Sequence, residues 1–214
     1  MRDYYNKELE QLKTDVIDMG GMCTEIVSAV LDNLENYRSE KEEETVTALN
    51  EISRQERAIE TNCMRLIMRN QPIARDLRRI RSSMFIIYDM ERIGIQSAEI
   101  AHMLDYVAEH PQATDAYIFD LGKASVQMTK DAVAAFEAED EKAALAVIAY
   151  DDVVDEKFDA ARHALISAIH GDDADAESSV DMLMIAKYYE RIADHAESIA
   201  RWVYFSKTGD HAAD

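Results

Sequence analysis

The chain has 214 residues, a formal net charge of -20 and 48% hydrophobic residues, and only two prolines and six glycines interrupt it. This composition predicts an all-α protein with enough apolar residues for one large core or two cores of roughly 100 residues each. The charge should repel nucleic acid and anionic lipid, and no run of about 18 uncharged apolar residues or signal peptide is present, so we expect a cytoplasmic protein without membrane insertion.

Three helices are predicted in the first half. Apolar residues recur at steps of three and four from about Asp3 to Tyr37, from the turn at 38–40 to the segment 70–72, and from about Pro72 to Ala108. Ser39 is a candidate N-cap for the second helix, and proline suits the first turn of the third. The polar, proline-containing segment 109–113 is the best domain boundary, so the predicted domains are residues 1–109 and 110–214.

The second half repeats the first. Helices are predicted from about Thr114 to Ala138, along an apolar seam from Ala144 to Leu165, and from about Glu177 to Lys207. The triplet Glu91-Arg92-Ile93 returns 99 residues later as Glu190-Arg191-Ile192. Two similar halves joined by short turns indicate two tandem, internally duplicated, antiparallel three-helix bundles.

Acids occupy corresponding positions in the apolar seams of both halves. The residue four positions after each seam acid lies on the same helix face, and in all but one case it is also an acid. The pairs are Glu56 with Glu60, Glu91 with Ile95, Asp151 with Asp155, and Glu190 with Asp194. A buried carboxylate is costly unless it is paired or binds a cation. We therefore predict a metal site of four acids in the second half and a less complete one in the first, with oxygen ligation that suits magnesium, manganese or iron.

Two alternatives explain the same acids differently. Arg54, Arg92, Arg191 or lysines of neighbouring helices could neutralise them at a wet edge of each seam. Alternatively, the stretch from Glu99 to His102 has the Glu-x-x-His spacing of ferritin-like di-iron bundles, which would make the protein an oxygen-handling enzyme. No glycine-rich phosphate loop, nucleophile elbow or Ser/His/Asp arrangement is present, so the sequence predicts a protein that is not an enzyme.

Four features of the chain together resemble the PhoU family. They are the twin Glu-Arg-Ile-Gly/Ala stretches, the Asp-Asp-Val-Val-Asp segment that ends at Asp155, the segment from Gln71 to Arg78, and the Met-Gly and Leu-Gly pairs of the first and fourth helices. The resemblance covers about residues 3 to 208.

The resemblance implies a phosphate-signalling accessory protein. Such a protein negatively regulates high-affinity phosphate uptake and the phosphate-starvation two-component response. The implied partners are the ATPase subunit of the phosphate ABC transporter, the phosphate sensor histidine kinase and a second copy in a homodimer. A helical scaffold that regulates another carrier is the alternative function.

The resemblance also implies metal clusters, of iron, manganese, magnesium or zinc, held by Glu/Asp-x-x-x-Asp motifs. In this sequence the motifs fall on the pairs of acids given above. In the first half Glu60 is a conservative departure from the motif. Ile95 removes a ligand, so a complete cluster is not expected there.

Overall fold

The computed structural model describes residues 2–110, 115–169 and 176–212, and these ranges form six α-helices. The helices are α1 (Arg2–Glu35), α2 (Glu40–Asn70), α3 (Ala74–Glu109), α4 (Asp115–Ala138), α5 (Glu141–Ile169) and α6 (Ala176–Thr208). No strand occurs in this part of the chain, so the all-α prediction is confirmed. None of the helices in the described ranges is long and apolar enough to cross a lipid bilayer.

The helices group as the duplication predicts. Within the first half α1, α2 and α3 pack against one another, and in the second half α6 packs against both α4 and α5, which also contact each other. The two bundles lie side by side, with their most extensive contact between α3 and α6 and a further contact between α1 and α4. A single hydrophobic cluster extends from Leu12 in α1 to Val203 in α6.

The predicted domain boundary lies at the end of α3. His110 follows the helix, and its backbone N–H donates to the carbonyl of Val107. Residues 111–114 lie outside the described ranges, as do the predicted acidic loop residues 172–175. The division into domains 1–109 and 110–214 therefore stays a prediction.

Two glycines allow α1 and α4 to approach closely. A Cβ atom on Gly20 of α1 would lie 2.7 Å from Cγ1 of Val133 in α4. A Cβ atom on Gly122 of α4 would lie 2.7 Å from Cδ1 of Leu31 in α1. The two glycines come from corresponding positions in the halves, so the Met-Gly and Leu-Gly pairs mark a reciprocal helix crossing.

A tight corner joins α2 to α3. Gln71 adopts a left-handed conformation (φ 46°), and its N–H donates to the carbonyl of Ile67 at 3.3 Å, which ends α2. Ile73 is extended, and α3 begins at Ala74, so Pro72 precedes the helix and does not form its first turn. Ser39 stands at the N-cap of α2, as predicted, but its side chain makes no capping hydrogen bond.

Candidate metal centre

The four acids predicted in the second half come from neighbouring helices. Asp151 and Asp155 are one turn apart on α5, and Glu190 and Asp194 are one turn apart on α6. Asp151 and Glu190 are half-buried, whereas Asp155 and Asp194 are exposed. The charges of Asp155, Asp194 and Glu190 all act on Asp151, so the helices bring the four carboxylates near one another.

This crowding alters the acidity of two members. Burial, followed by the charges of Glu197, Asp155, Asp194 and Glu190, raises the pKa of Asp151 to about 7. At Asp194, partial loss of hydration and then the charge of Glu190 raise the pKa to about 6, against the opposing charge of Lys187. Because a nearby cation favours the ionised carboxylate, cation binding here would release protons near neutral pH.

Glu197 belongs to the same cluster, although it was not predicted as a site residue. Its charge has the largest effect of any single residue on Asp151. Glu197 lies two turns after Glu190 on α6 and shares its helix face, but it has Arg201, not an acid, four residues later. The signal that could have identified it was its place in the α6 seam.

Two cations of α6 neutralise part of this charge. The Lys187 ammonium lies 2.5 Å from Oε1 of Glu190, and the guanidinium of Arg201 lies 2.8 Å from Oε1 of Glu197. Arg191, the cation named in the alternative reading, is exposed and lies over the ring of Tyr188. Within the described residues, ion pairs reach only two of the five carboxylates, so the alternative of neutralisation by arginines or lysines accounts for only part of the negative charge.

Two oxygens of the cluster are buried without a hydrogen-bond partner among the described residues. They are Oδ1 of Asp151 and Oε2 of Glu190, one from each helix. A buried carboxylate oxygen that makes no bond bears an uncompensated desolvation penalty. These oxygens are the atoms that a cation placed between α5 and α6 would satisfy.

The donor set fits an oxygen-preferring metal, but the side chains do not form a finished coordination sphere. In residues 2–110, 115–169 and 176–212, no three acidic, histidine or cysteine side chains lie in an arrangement that could hold an ion. Asp155 and Asp194 have no hydrogen-bond partner in the same ranges. Their carboxylates can therefore rotate toward the space between α5 and α6 without breaking a hydrogen bond. Carboxylate ligands suit magnesium, manganese or iron better than they suit zinc, which favours nitrogen and sulfur.

The first half assembles a smaller group. Partial burial raises the pKa of Glu56, and the charges of Glu91 and Glu60 raise it further, so these three acids also lie near one another. Ile95 is half-buried at the position that corresponds to Asp194. A Cβ atom on Gly94 would lie 3.2 Å from a methyl group of Leu49, so this glycine allows α2 to pack closely against α3.

The di-iron alternative gains no support from the geometry. His102 is exposed, and its Nδ1 lies 2.9 Å from Oε1 of Glu42 in α2. Glu99 is also exposed, with Oε2 3.5 Å from the hydroxyl of Tyr188. A di-iron site in a bundle needs inward-facing ligands, whereas these two side chains face solvent.

Similarity to known proteins agrees with this architecture. The family model described as PhoU domain matches residues 16–104 and 118–203, one match in each half. The chain belongs to the PhoU family. The resemblance drawn from the short motifs is therefore confirmed.

PhoU proteins of known name align over nearly the whole chain. One is the Phosphate-specific transport system accessory protein PhoU homolog of Pseudomonas aeruginosa, which is 28% identical over 207 residues, or 96% of this chain and 86% of that protein. The protein of the same name from Xylella fastidiosa is 32% identical over 209 residues, or 96% of this chain and 87% of that protein. By name these relatives are accessory proteins.

Solved PhoU structures share the fold. The crystal structure of PhoU from Pseudomonas aeruginosa has a TM-score of 0.92 and 28% identity, covering 96% of this chain and 100% of that one. The phosphate transport system regulatory protein PhoU from Streptococcus pneumoniae has a TM-score of 0.90 and 26% identity, covering 98% and 99%. The prediction of two tandem three-helix bundles is confirmed.

Proposed function

We propose that this protein is an accessory protein of phosphate transport that negatively regulates high-affinity uptake and the phosphate-starvation two-component response. The observation that carries the proposal is the similarity to PhoU of Pseudomonas aeruginosa over 96% of the chain, with a TM-score of 0.92. The names of the relatives, all of them phosphate-specific transport accessory proteins, support the same assignment.

In this proposal the protein works as an adaptor. It acts in the cytoplasm as a homodimer and contacts both the ATPase subunit of the phosphate ABC transporter and the phosphate sensor histidine kinase. Long helices with solvent-facing sides provide extended binding surfaces of the kind that an adaptor needs. The net charge of -20 directs such contacts toward basic surfaces of partners and away from anionic ones.

A metal centre between α5 and α6 is part of the proposal. Asp151, Asp155, Glu190 and Asp194 would hold the ion, with Glu197 nearby. The ion would be iron, manganese or magnesium, and zinc is the less suitable choice for carboxylates alone. The unpartnered oxygens of Asp151 and Glu190 support this assignment, because the protein supplies no donor for them among the described residues.

A deletion strain tests the regulatory role. A reporter under a phosphate-starvation promoter is measured in phosphate-rich medium in the parent, in the deletion strain and in the deletion strain carrying the gene on a plasmid. The proposal predicts an active reporter in the deletion strain alone. Normal repression in that strain would contradict the proposal and would favour the alternative, regulation of another carrier.

Partner binding is tested with purified proteins. The ATPase subunit and the cytoplasmic part of the kinase are each titrated with this protein at high and low phosphate, and the metal content of the recovered complexes is measured. The proposal predicts binding to both proteins. The absence of binding to either one would remove the adaptor role while leaving the family assignment in place.

A further inference from the structure

A strongly basic stretch interrupts this acidic chain. Residues 61–81 contain six arginines, no lysine and a single acid, Asp76, in a protein of net charge -20. The arginines are Arg65, Arg69, Arg75, Arg78, Arg79 and Arg81. They lie on the last turns of α2 and the first turns of α3, so the corner between these helices carries a concentrated positive charge.

Ion pairs between described residues occupy only two of the six arginines. Arg65 lies 2.6 Å from Glu8 of α1, and Arg79 lies 2.9 Å from Glu139 after α4. The other four arginines form no ion pair within the described residues. Arg69, Arg75 and Arg81 are exposed, so their charge is available to a binding partner, whereas Arg78 is half-buried and its Nε atom is buried.

Exposed apolar side chains lie among these four arginines. Met68 is 71% exposed, Ile73 79%, Leu77 41% and Phe85 41%. Leu77, Arg81 and Phe85 follow one another at four-residue steps, which places them in one stripe along α3, and Ile73 immediately precedes the helix. We call the surface formed by Met68, Arg69, Ile73, Arg75, Leu77, Arg78, Arg81 and Phe85 the arginine corner.

An aromatic platform orders part of this surface. The ring of Phe85 stacks on Trp202 of α6, with centroids 4.1 Å apart and planes 5° from parallel. The guanidinium of Arg81 lies over Phe85, Trp202 and Phe205, 5.2 to 5.5 Å from their centroids. An arginine already held by aromatic rings loses less side-chain freedom when it binds, so this part of the surface is prepared for a ligand.

We propose that the arginine corner is a docking surface for a partner protein that presents an acidic segment with apolar side chains. Charge complementarity identifies the acidic part, and the exposed Met68, Ile73 and Leu77 identify the apolar part. This inference rests on the proposed function in one respect, because an adaptor must have such surfaces.

The composition favours a protein over a lipid bilayer. Arginine, methionine and aromatic residues are enriched at the centres of protein interfaces, whereas lysine is depleted, and the corner has no lysine. The planar guanidinium binds a carboxylate through two parallel hydrogen bonds, which gives a selectivity that a diffuse anionic surface does not require. A second copy of the chain is the other possible occupant, and the cross-linking experiment below distinguishes it from a partner protein.

The first test measures binding of the purified ATPase subunit and the kinase cytoplasmic part to two charge-reversal variants. Arg69→Glu with Arg75→Glu alters exposed side chains that form no ion pair within the described ranges. Lys130→Glu with Lys142→Glu makes the same change in net charge at exposed positions of α4 and α5 that form no ion pair within the described ranges. We expect the corner variant to lose about tenfold or more in affinity for one partner, while the control variant binds as the wild type does.

An uncharged variant separates a protein interface from simple charge attraction. Met68→Ser with Ile73→Ser keeps every arginine and removes the apolar side chains. We expect this variant to bind more weakly too. Unchanged binding of this variant, or unchanged binding of the corner charge reversal, would overturn the proposal while leaving the adaptor function in place.

A cross-linking experiment decides the case in which neither candidate partner binds the wild type. A photoreactive phenylalanine analogue replaces Ile73 in cells, with the exposed Val46 of α2 as the control position, and mass spectrometry identifies the cross-linked peptide. An acidic segment of another protein, cross-linked only from position 73 and lost with Arg69→Glu and Arg75→Glu, would support the docking surface even as the named partners failed. No cross-linked product, or one to this same chain, would overturn the docking surface. It would also be overturned if the wild type bound anionic phosphatidylglycerol vesicles and Arg69→Glu with Arg75→Glu abolished that binding.

Discussion

The loss of folding stability caused by ionising Asp151 in the metal-free protein can be measured directly. Its pKa is about 7 in the folded state against a usual value of 3.8, so the folded protein holds this proton more tightly than the unfolded chain does. The contribution of this proton to stability is fully present below about pH 4 and is lost as pH rises through about 7. A difference of about three pH units corresponds to at most about 4 kcal/mol, and solvent screening at this half-buried site reduces it to about 1–2 kcal/mol.

The substitution Asp151→Asn removes this titration and keeps the shape of the side chain. We expect the variant to be more stable than the wild type by about 1–2 kcal/mol at pH 8 in the presence of a chelator, with a smaller difference at pH 5. The free energy of unfolding is measured by urea denaturation followed by circular dichroism at both pH values. Asp152→Asn, at the exposed neighbouring position, is the control and should leave the stability unchanged. A variant no more stable than the wild type at pH 8, or a difference independent of pH, would refute the reasoning.

Three further predictions concern the packing of the two bundles. A Cβ atom on Gly20 would lie 2.7 Å from the stiff side chain of Val133, whereas one on Gly21 would meet nothing within 4 Å. In thermal melts Gly20→Ala should therefore lower the stability by about 1–3 kcal/mol, and Gly21→Ala should raise it by about 0.5–1 kcal/mol. The buried Asp89 of α3 accepts a hydrogen bond from Ser198 of α6 at 2.7 Å and lies 2.9 Å from Nδ1 of His195. Asp89→Ala should therefore lower the free energy of unfolding, measured by urea denaturation, by about 2–3 kcal/mol. A loss below about 0.5 kcal/mol would contradict the role of this link between α3 and α6. Burial acts against ionisation of Glu139, but hydrogen bonds from Lys13 and Lys207 and the charge of Arg79 lower its pKa to about 2; Glu139→Gln should cost about 1–2 kcal/mol at pH 7, an effect that is present above about pH 4.5 and declines as pH falls toward 2.

Helix positions and the facing acids could be predicted from the sequence because both follow from spacing within one helix. Positions four residues apart share a face, so Asp151 with Asp155 and Glu190 with Asp194 could be paired before the structure was known. Glu197 was missed because its importance comes from Asp151 across the helix interface, and no second acid follows it at the expected spacing. A one-helix pattern contains no information on that contact.

Contacts between helices, within and between the bundles, could not be predicted from the sequence. Gly20 and Gly122 were recognised as matching positions, but the reason for glycine, the crossing of α1 and α4, depends on how the halves pack. Nothing in the spacing along α3 indicates that Leu49 of α2 lies against Gly94. The arginines around the α2–α3 corner are visible as a run, yet which of them remain unpaired depends on Glu8 and Glu139 from distant segments.

A bound metal ion is proposed to neutralise the acids between α5 and α6, and the number of metal ions bound per chain tests this most directly. The metal-free protein is loaded with iron, manganese or magnesium, separated from free metal and analysed by mass spectrometry for metal per chain. The test variant is Asp155→Ala with Asp194→Ala, and Asp152→Ala with Glu156→Ala is a matched control at exposed positions of α5. The account predicts that the test variant loses the metal bound by the second half and that the control retains it. Equal metal content in the wild type and the test variant would contradict the account.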